Sequence, residues 1–230
     1  MPFSGGTLRI QDPFFHMMAD GVREMLVHQD AETFLRWMRQ EGPRRHPGVF
    51  AGLLNVEHWA PFATTLGVGL WNAMPLPRLG FRTEPVQPPP LGAPCWCRSG
   101  EPYSECCAQR PGPPPLGSDV LWETLIPLVE ADDLLAAARS GEMPIHLHVG
   151  VVDERLQAGD AHEAMALLDP VFDDPGGFEE RAEEWVEPLL DLFDALCSVL
   201  ALTDRHREVF ERLLRSGSPQ LQAFLLERSE

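Results

Sequence analysis

The stretch PCWCRSGEPYSECCA, residues 94–108, decides how the rest of the chain is read. Cys95 and Cys97 form a C-x-C, eight residues intervene, and Cys106 and Cys107 form an adjacent pair. Four of the five cysteines thus fall within 13 residues. So short a segment cannot bury a hydrophobic core, and something else must fold it. In a reducing compartment disulfides are disfavoured, and clustered thiols then point to a metal site. Four thiolates suit one tetrahedral zinc ion, with bonds of roughly 2.3 Å. Arg98–Ser99–Gly100 can turn the chain back between the two cysteine pairs, and Gly100 tolerates the positive φ such a turn needs. Metal binding would supply the folding energy, on the order of 10 kcal/mol or more. Four cysteines close the coordination shell, whereas a catalytic zinc keeps a position open for water. The expected ligands of one structural Zn2+ are therefore Cys95, Cys97, Cys106 and Cys107, with no catalytic residue among them.

Proline brackets this cluster. Ten of the 23 prolines lie between 85 and 115, and PPPLG occurs twice, at 88–92 and 113–117. Such tracts favour extended polyproline conformation and act as semi-rigid spacers, their other use being as PxxP ligands. The expected division is a helical N-terminal region over 1–84, a proline-bracketed knuckle over 85–117 and an acidic helical region over 118–230.

The charge divides the chain in the same way. The 230 residues carry a formal −17, from 35 acidic and 18 basic residues, and every basic residue is arginine. Residues 1–94 balance at eight and eight, whereas 119–194 hold 20 acids against three Arg. The absence of lysine excludes a Walker-type phosphate lysine, Schiff-base chemistry and a lysine general base. The acidity disfavours duplex nucleic acid, whose affinity for proteins comes mainly from neutralising phosphates. With 44% hydrophobic residues the chain can build real cores, but it has no run long and apolar enough for a membrane span. The opening MPFSGGTLRIQDPFF lacks a signal-peptide pattern, so a cytoplasmic location without membrane insertion is expected.

The cysteine run resembles the SEC-C motif, the short zinc-binding module found at the C-terminus of the bacterial SecA translocation ATPase and in many other proteins. The pattern C-x-C-x-S-G-x-x-Y-x-x-C-C is met in register by Cys95, Cys97, Ser99, Gly100, Tyr103, Cys106 and Cys107. The resemblance implies zinc binding and, with the Arg-only composition, a bacterial origin. In SecA the module binds the export chaperone SecB and associates with ribosomes. Here the usual Pro is Trp96, the usual Gly is Arg98, and the customary lysines are replaced by Glu101, Pro102, Ser104 and Glu105. That departure removes the basic surface on which the SecA partnerships rest. Trp96 or Tyr103 could stack on an RNA base, but only Arg98 and Arg110 lie nearby to support it.

The flanks read as helical, which makes the fold class mainly α. Phe14, Phe15, Met18, Val22, Met25 and Leu26 recur at three- and four-residue intervals, and Asp30 is placed to cap a second helix carrying Phe34, Leu35, Trp37 and Met38. Residues 47–76 are interrupted by Pro61, Gly67, Gly69 and Pro75 and read as short helices. Beyond the knuckle, helices are expected near 121–128 and over 131–139, then at 178–201 around Leu189, Phe193 and Leu196, at 205–215 capped by Asp204, and at 219–228 capped by Ser218. Gly159 followed by Glu163–Ala164 resembles the turn of a tetratricopeptide (TPR) hairpin, and antiparallel helical hairpins are expected there.

Other chemistry is sparse. Cys197 reads as a buried inert thiol, His146 and His148 would point apart on a helix, and Glu179, Glu180, Glu183, Glu184 and Glu187 form an acidic helix face. Asp132–Asp133 and Asp173–Asp174 lack calcium-loop spacing. Two functions follow. In the first, a non-enzymatic adaptor uses the knuckle as a rigid element and its acidic helices to meet a basic protein. In the second, an enzyme holds its active site in the N-terminal region, built from His16, His28, His46, Glu57 and His58, and the knuckle recruits substrate or ribosome. Neither reading specifies an oligomeric state.

Overall fold

Helix α1 (Pro13–His28) turns its Met17, Met18, Val22 and Met25 inward and passes through Gln29 and Asp30 into α2 (Ala31–Gln40). The computed structural model describes residues 13–51, 58–81, 84–110, 117–173 and 184–228, and among these every regular element is helical. Asp30 caps α2 as expected, its Oδ2 accepting the Thr33 N–H at 2.7 Å. Phe34, Leu35, Trp37 and Met38 then line the buried face of that helix. Two single-turn helices, α3 (Gly42–Arg45) and α4 (Pro47–Phe50), follow.

Helix α5 (Trp59–Ala73) is one continuous element, not the expected run of short pieces. Pro61 falls in its first turn, where a missing N–H costs no helical hydrogen bond. Gly67 is mid-helix, and a Cβ there would lie 2.9 Å from Leu35 Cδ2 and 3.0 Å from Met38 Cγ. The glycine therefore permits the close approach of α5 to α2, and that packing outweighs about 1 kcal/mol of lost helix propensity. Phe34 stacks on Trp71 at 6.0 Å and Phe50 meets Phe62 edge-on at 5.7 Å, which completes the aromatic part of this core.

The described residues fall into two compact units, the first ending at Leu128 and the second beginning at Val129. The knuckle and α6 (Ser118–Leu125) belong with the N-terminal helices. Helix α6 packs on α1, and its Trp122 stacks on Phe81 at 5.7 Å. Contacts thus group the chain differently from the proline tracts.

The second unit is built from α7 (Ala131–Ser140), α8 (Ile145–Gln157), α9 (Ala161–Leu168), α10 (Val186–Val199), α11 (Thr203–Ser216) and α12 (Pro219–Arg228). A short turn at Gly159, with φ +89°, joins α8 and α9 into a hairpin, and the fully buried Ala164 lets the pair pack closely. Helix α10 supplies the centre: Leu189, Leu190, Phe193 and Leu196 are fully buried, and Phe193 meets Phe172 at 4.8 Å. Pro188 lies in the first turn of α10 and so marks a helix start; the upstream part expected from 178 lies partly outside the described residues. Ser218 Oγ accepts the Leu221 N–H and caps α12, as the sequence suggested. Asp204 does not cap α11. It lies inside the first turn and pairs with Arg207, because the helix begins at Thr203, two residues earlier than a cap at 204 would require.

Candidate metal centre

The knuckle is a tight double turn held by its own backbone. Its two limbs meet through Cys95 N–H to Glu101 O, Tyr103 N–H to Ala93 O and Ser104 N–H to Leu91 O, each at 2.9 Å. A single antiparallel bridge joins Pro94 to Pro102. Between the limbs, Gly100 takes φ +89° as expected, and Arg98 takes φ +62°. Arg98 stands where the SEC-C pattern usually has glycine, so a side chain occupies a left-handed conformation that glycine adopts freely.

This folding brings the four thiols together. All four cysteines are buried, at 3–6% exposure, and their sulfurs lie within 4.8 Å of one another. Cys97 Sγ is 3.4 Å from both Cys95 Sγ and Cys106 Sγ, and all four are free thiols. A tetrahedral tetrathiolate with bonds of about 2.3 Å has edges of about 3.8 Å, within the spacing already present. The four residues are therefore positioned to bind one metal ion, and an all-thiolate set suits structural zinc. Around them Ser99 Oγ donates to Cys106 Sγ at 3.3 Å and accepts the Glu101 N–H, an outer contact that orients the ligand. Trp96 meets Tyr103 edge-on at 5.4 Å over the cluster, so both rings serve as its cover.

The thiols differ in their readiness to ionise. Burial opposes ionisation of Cys95, but the Cys97 and Cys107 N–H groups aimed at its sulfur bring its pKa down to about 7. Burial raises Cys97, against the contrary pull of Ser99. Burial and the sulfurs of Cys95 and Cys97 hold Cys107 far above the usual thiol range. A divalent cation favours the ionised form of the thiols that bind it.

The family model for the SEC-C motif matches residues 93–109. Those 17 residues carry a SEC-C motif. The match spans only this part of the 230-residue chain. No curated protein and no solved structure matches the chain.

On its N-terminal side the SEC-C motif is tethered to α5. Asn72, near the end of α5, brackets Val86 with its side-chain amide, its Oδ1 accepting the Val86 N–H at 2.8 Å and its Nδ2 donating to Val86 O. Trp71 Nε1 donates to Glu84 O. The first PPPLG tract therefore runs between an anchor on α5 and the knuckle backbone at Leu91. Residues 111–116, which hold most of the second tract, lie outside the described residues. From the other side, Arg39 of α2 donates to Trp96 O at 3.1 Å and Arg98 pairs with Glu32 at 3.0 Å. Sequence reading missed Arg39 and Asn72, and only their partners, 57 and 14 residues away, reveal them.

The remaining candidates take ordinary positions. Cys197 is buried on α10, and burial, then Asp194, pushes its thiol up to about 11. His148 turns into the core and donates from Nε2 to Leu167 O at 2.7 Å, whereas His146 lies beside Trp185. His46 is 3.1 Å from Asp20, His28 is 3.4 Å from Glu24, and His16 is exposed. Glu57, Asp174, Glu179, Glu180 and Glu183 lie outside the described residues, while Glu184 and Glu187 are exposed. No helix among the described residues is long and apolar enough to cross a membrane.

Proposed function

We propose that this metal-binding protein is a non-enzymatic adaptor of the bacterial cytoplasm, in which zinc makes the SEC-C knuckle rigid and the acidic helical unit meets a basic protein partner. The observation that carries this reading is the closed set of four buried cysteines, which leaves a bound metal no protein-free position for water or substrate. The charge distribution supplies the partner's chemistry. Arg205, Arg212 and Arg228 are engaged by Asp169, Asp173, Asp191, Asp194 and Glu208 within the second unit. Glu130, Asp132, Asp133, Glu154 and Asp160, on or beside α7–α9, have no ion pair among the described residues. An uncompensated acidic surface of this kind steers basic partners toward it. The α8–α9 hairpin, with its TPR-like turn, would present part of that surface.

The test is capture from a cell lysate across a salt series. It uses the full chain beside a variant with Asp132, Asp133, Glu154 and Asp160 changed to amides. The adaptor reading expects basic proteins that bind at low salt, elute at high salt and are lost from the variant. An empty capture, or one indifferent to both salt and the amide changes, overturns it.

A further inference from the structure

Arg39 presents a charge that the protein part of the structure does not balance. It is half-buried on α2, and its one hydrogen bond among the described residues goes to a neutral acceptor, the Trp96 carbonyl between two metal ligands. No carboxylate lies within ion-pair distance of it among the described residues. The nearest acid on its helix face, Glu32, is already shared by Arg98 at 3.0 Å and Arg36 at 3.8 Å. Three guanidinium groups around one carboxylate leave two positive charges over. A zinc ion held by four thiolates leaves two negative charges over. A partly desolvated guanidinium gains from a counter-charge, and the thiolate of Cys97 and the carboxylate of Glu32 both favour its charged form. Of the groups that act on Arg39, Cys97 is the foremost of those favouring its charged form, against burial and Arg98.

We infer that Arg39 is an outer positioning residue of the metal centre, which holds the Cys95–Cys97 limb through Trp96 O and offsets the charge of the loaded tetrathiolate from outside the motif. Among the described residues this contact and the exposed Arg98–Glu32 pair are the hydrogen bonds that join α2 to the knuckle. An open groove of about 480 Å³, lined by Leu35, Val86, Pro94 and Trp96, separates α2 from the knuckle. Loading the metal would therefore strengthen the hold of Arg39 on the knuckle.

This rests on the site taking zinc, and the test separates the two claims. Zinc transfer from the full-length protein to a chromogenic chelator is timed for wild type, Arg39→Met, Arg39→Lys and Arg23→Met. The last removes an equal charge from an exposed position on α1. Arg39→Met should release zinc about tenfold faster, the scale of a lost outer-shell contact, with Arg39→Lys close to wild type and Arg23→Met unchanged. Raising the ionic strength should narrow the gap. Cobalt-substituted Arg39→Met should keep its thiolate charge-transfer bands, so that the rate reports the surroundings and not a broken shell. Equal rates for wild type and Arg39→Met overturn the inference, as does Arg39→Lys matching Arg39→Met. Wild-type protein that binds no zinc overturns the metal reading itself.

Discussion

The knuckle and the second helical unit fold for opposite reasons. In the knuckle, the buried cluster among the described residues is four cysteines under two aromatic rings. In the second unit, Leu189, Leu190, Phe193 and Leu196 of α10 are fully buried, as are Phe172, Leu168, Val209, Leu213 and Leu225. One depends on an ion, the other on apolar area removed from water. The difference teaches that a metal can replace a core in so short a segment, where ligands close in sequence keep the cost of closing the loop small.

The sharpest way to break the comparison is to remove one ligand. Cys106→Ser should take bound zinc from one per chain to near none, withdrawing metal-binding energy on the order of 10 kcal/mol. The far-UV helical signal should barely change, since the knuckle contributes only short 3₁₀ turns. Metal analysis and circular dichroism read both effects. A large loss of helix would show that the knuckle is not a separate folding problem.

The reciprocal change attacks the apolar side. Phe193→Ala removes a fully buried ring that meets Phe172 at 4.8 Å and should destabilise the second unit by about 3–5 kcal/mol. Zinc content should stay at one per chain. Denaturant melts with parallel metal analysis decide between this and a shared loss.

Gly67→Val probes the surface that carries the knuckle's tether. Its added carbons would meet Leu35 and Met38 and should cost about 2 kcal/mol by overpacking, read as a lowered unfolding midpoint.

Asp30→Ala removes the cap of α2 and should cost about 1 kcal/mol. The hydrogen bonds from Thr33 hold the Asp30 carboxyl below its ordinary pKa. Its contribution is therefore full above the unfolded-state value and fades as pH falls through the lower folded one. The wild-type advantage over Asp30→Ala should accordingly shrink in acid, and a gap constant down to that range would contradict the cap.

The smallest effect is expected at Arg98→Gly. It relieves a φ of +62° at the loss of an exposed pair with Glu32, and should stabilise the knuckle by under about 1 kcal/mol.

Local signals were legible from sequence, and distant ones were not. The cysteine ligands, the caps at Asp30 and Ser218, the positive φ at Gly100 and the apolar stripe of α10 each depend on residues within a few positions of one another. The reading of 47–76 erred because Pro61 and Gly67 were weighed by propensity alone. A proline in the first turn breaks nothing, and a glycine facing another helix is favoured by the packing it allows.

The sequence alone therefore determined the cluster of four cysteines positioned for one metal ion, the helical class and the placement of the acidity, because spacing and periodicity encode them within short windows. Only the tertiary structure decided that the knuckle is carried by the N-terminal helices through Asn72, Arg39 and Glu32. Those contacts join residues 14 to 66 positions apart, and a hydrogen bond across such a distance leaves no periodic trace in the chain.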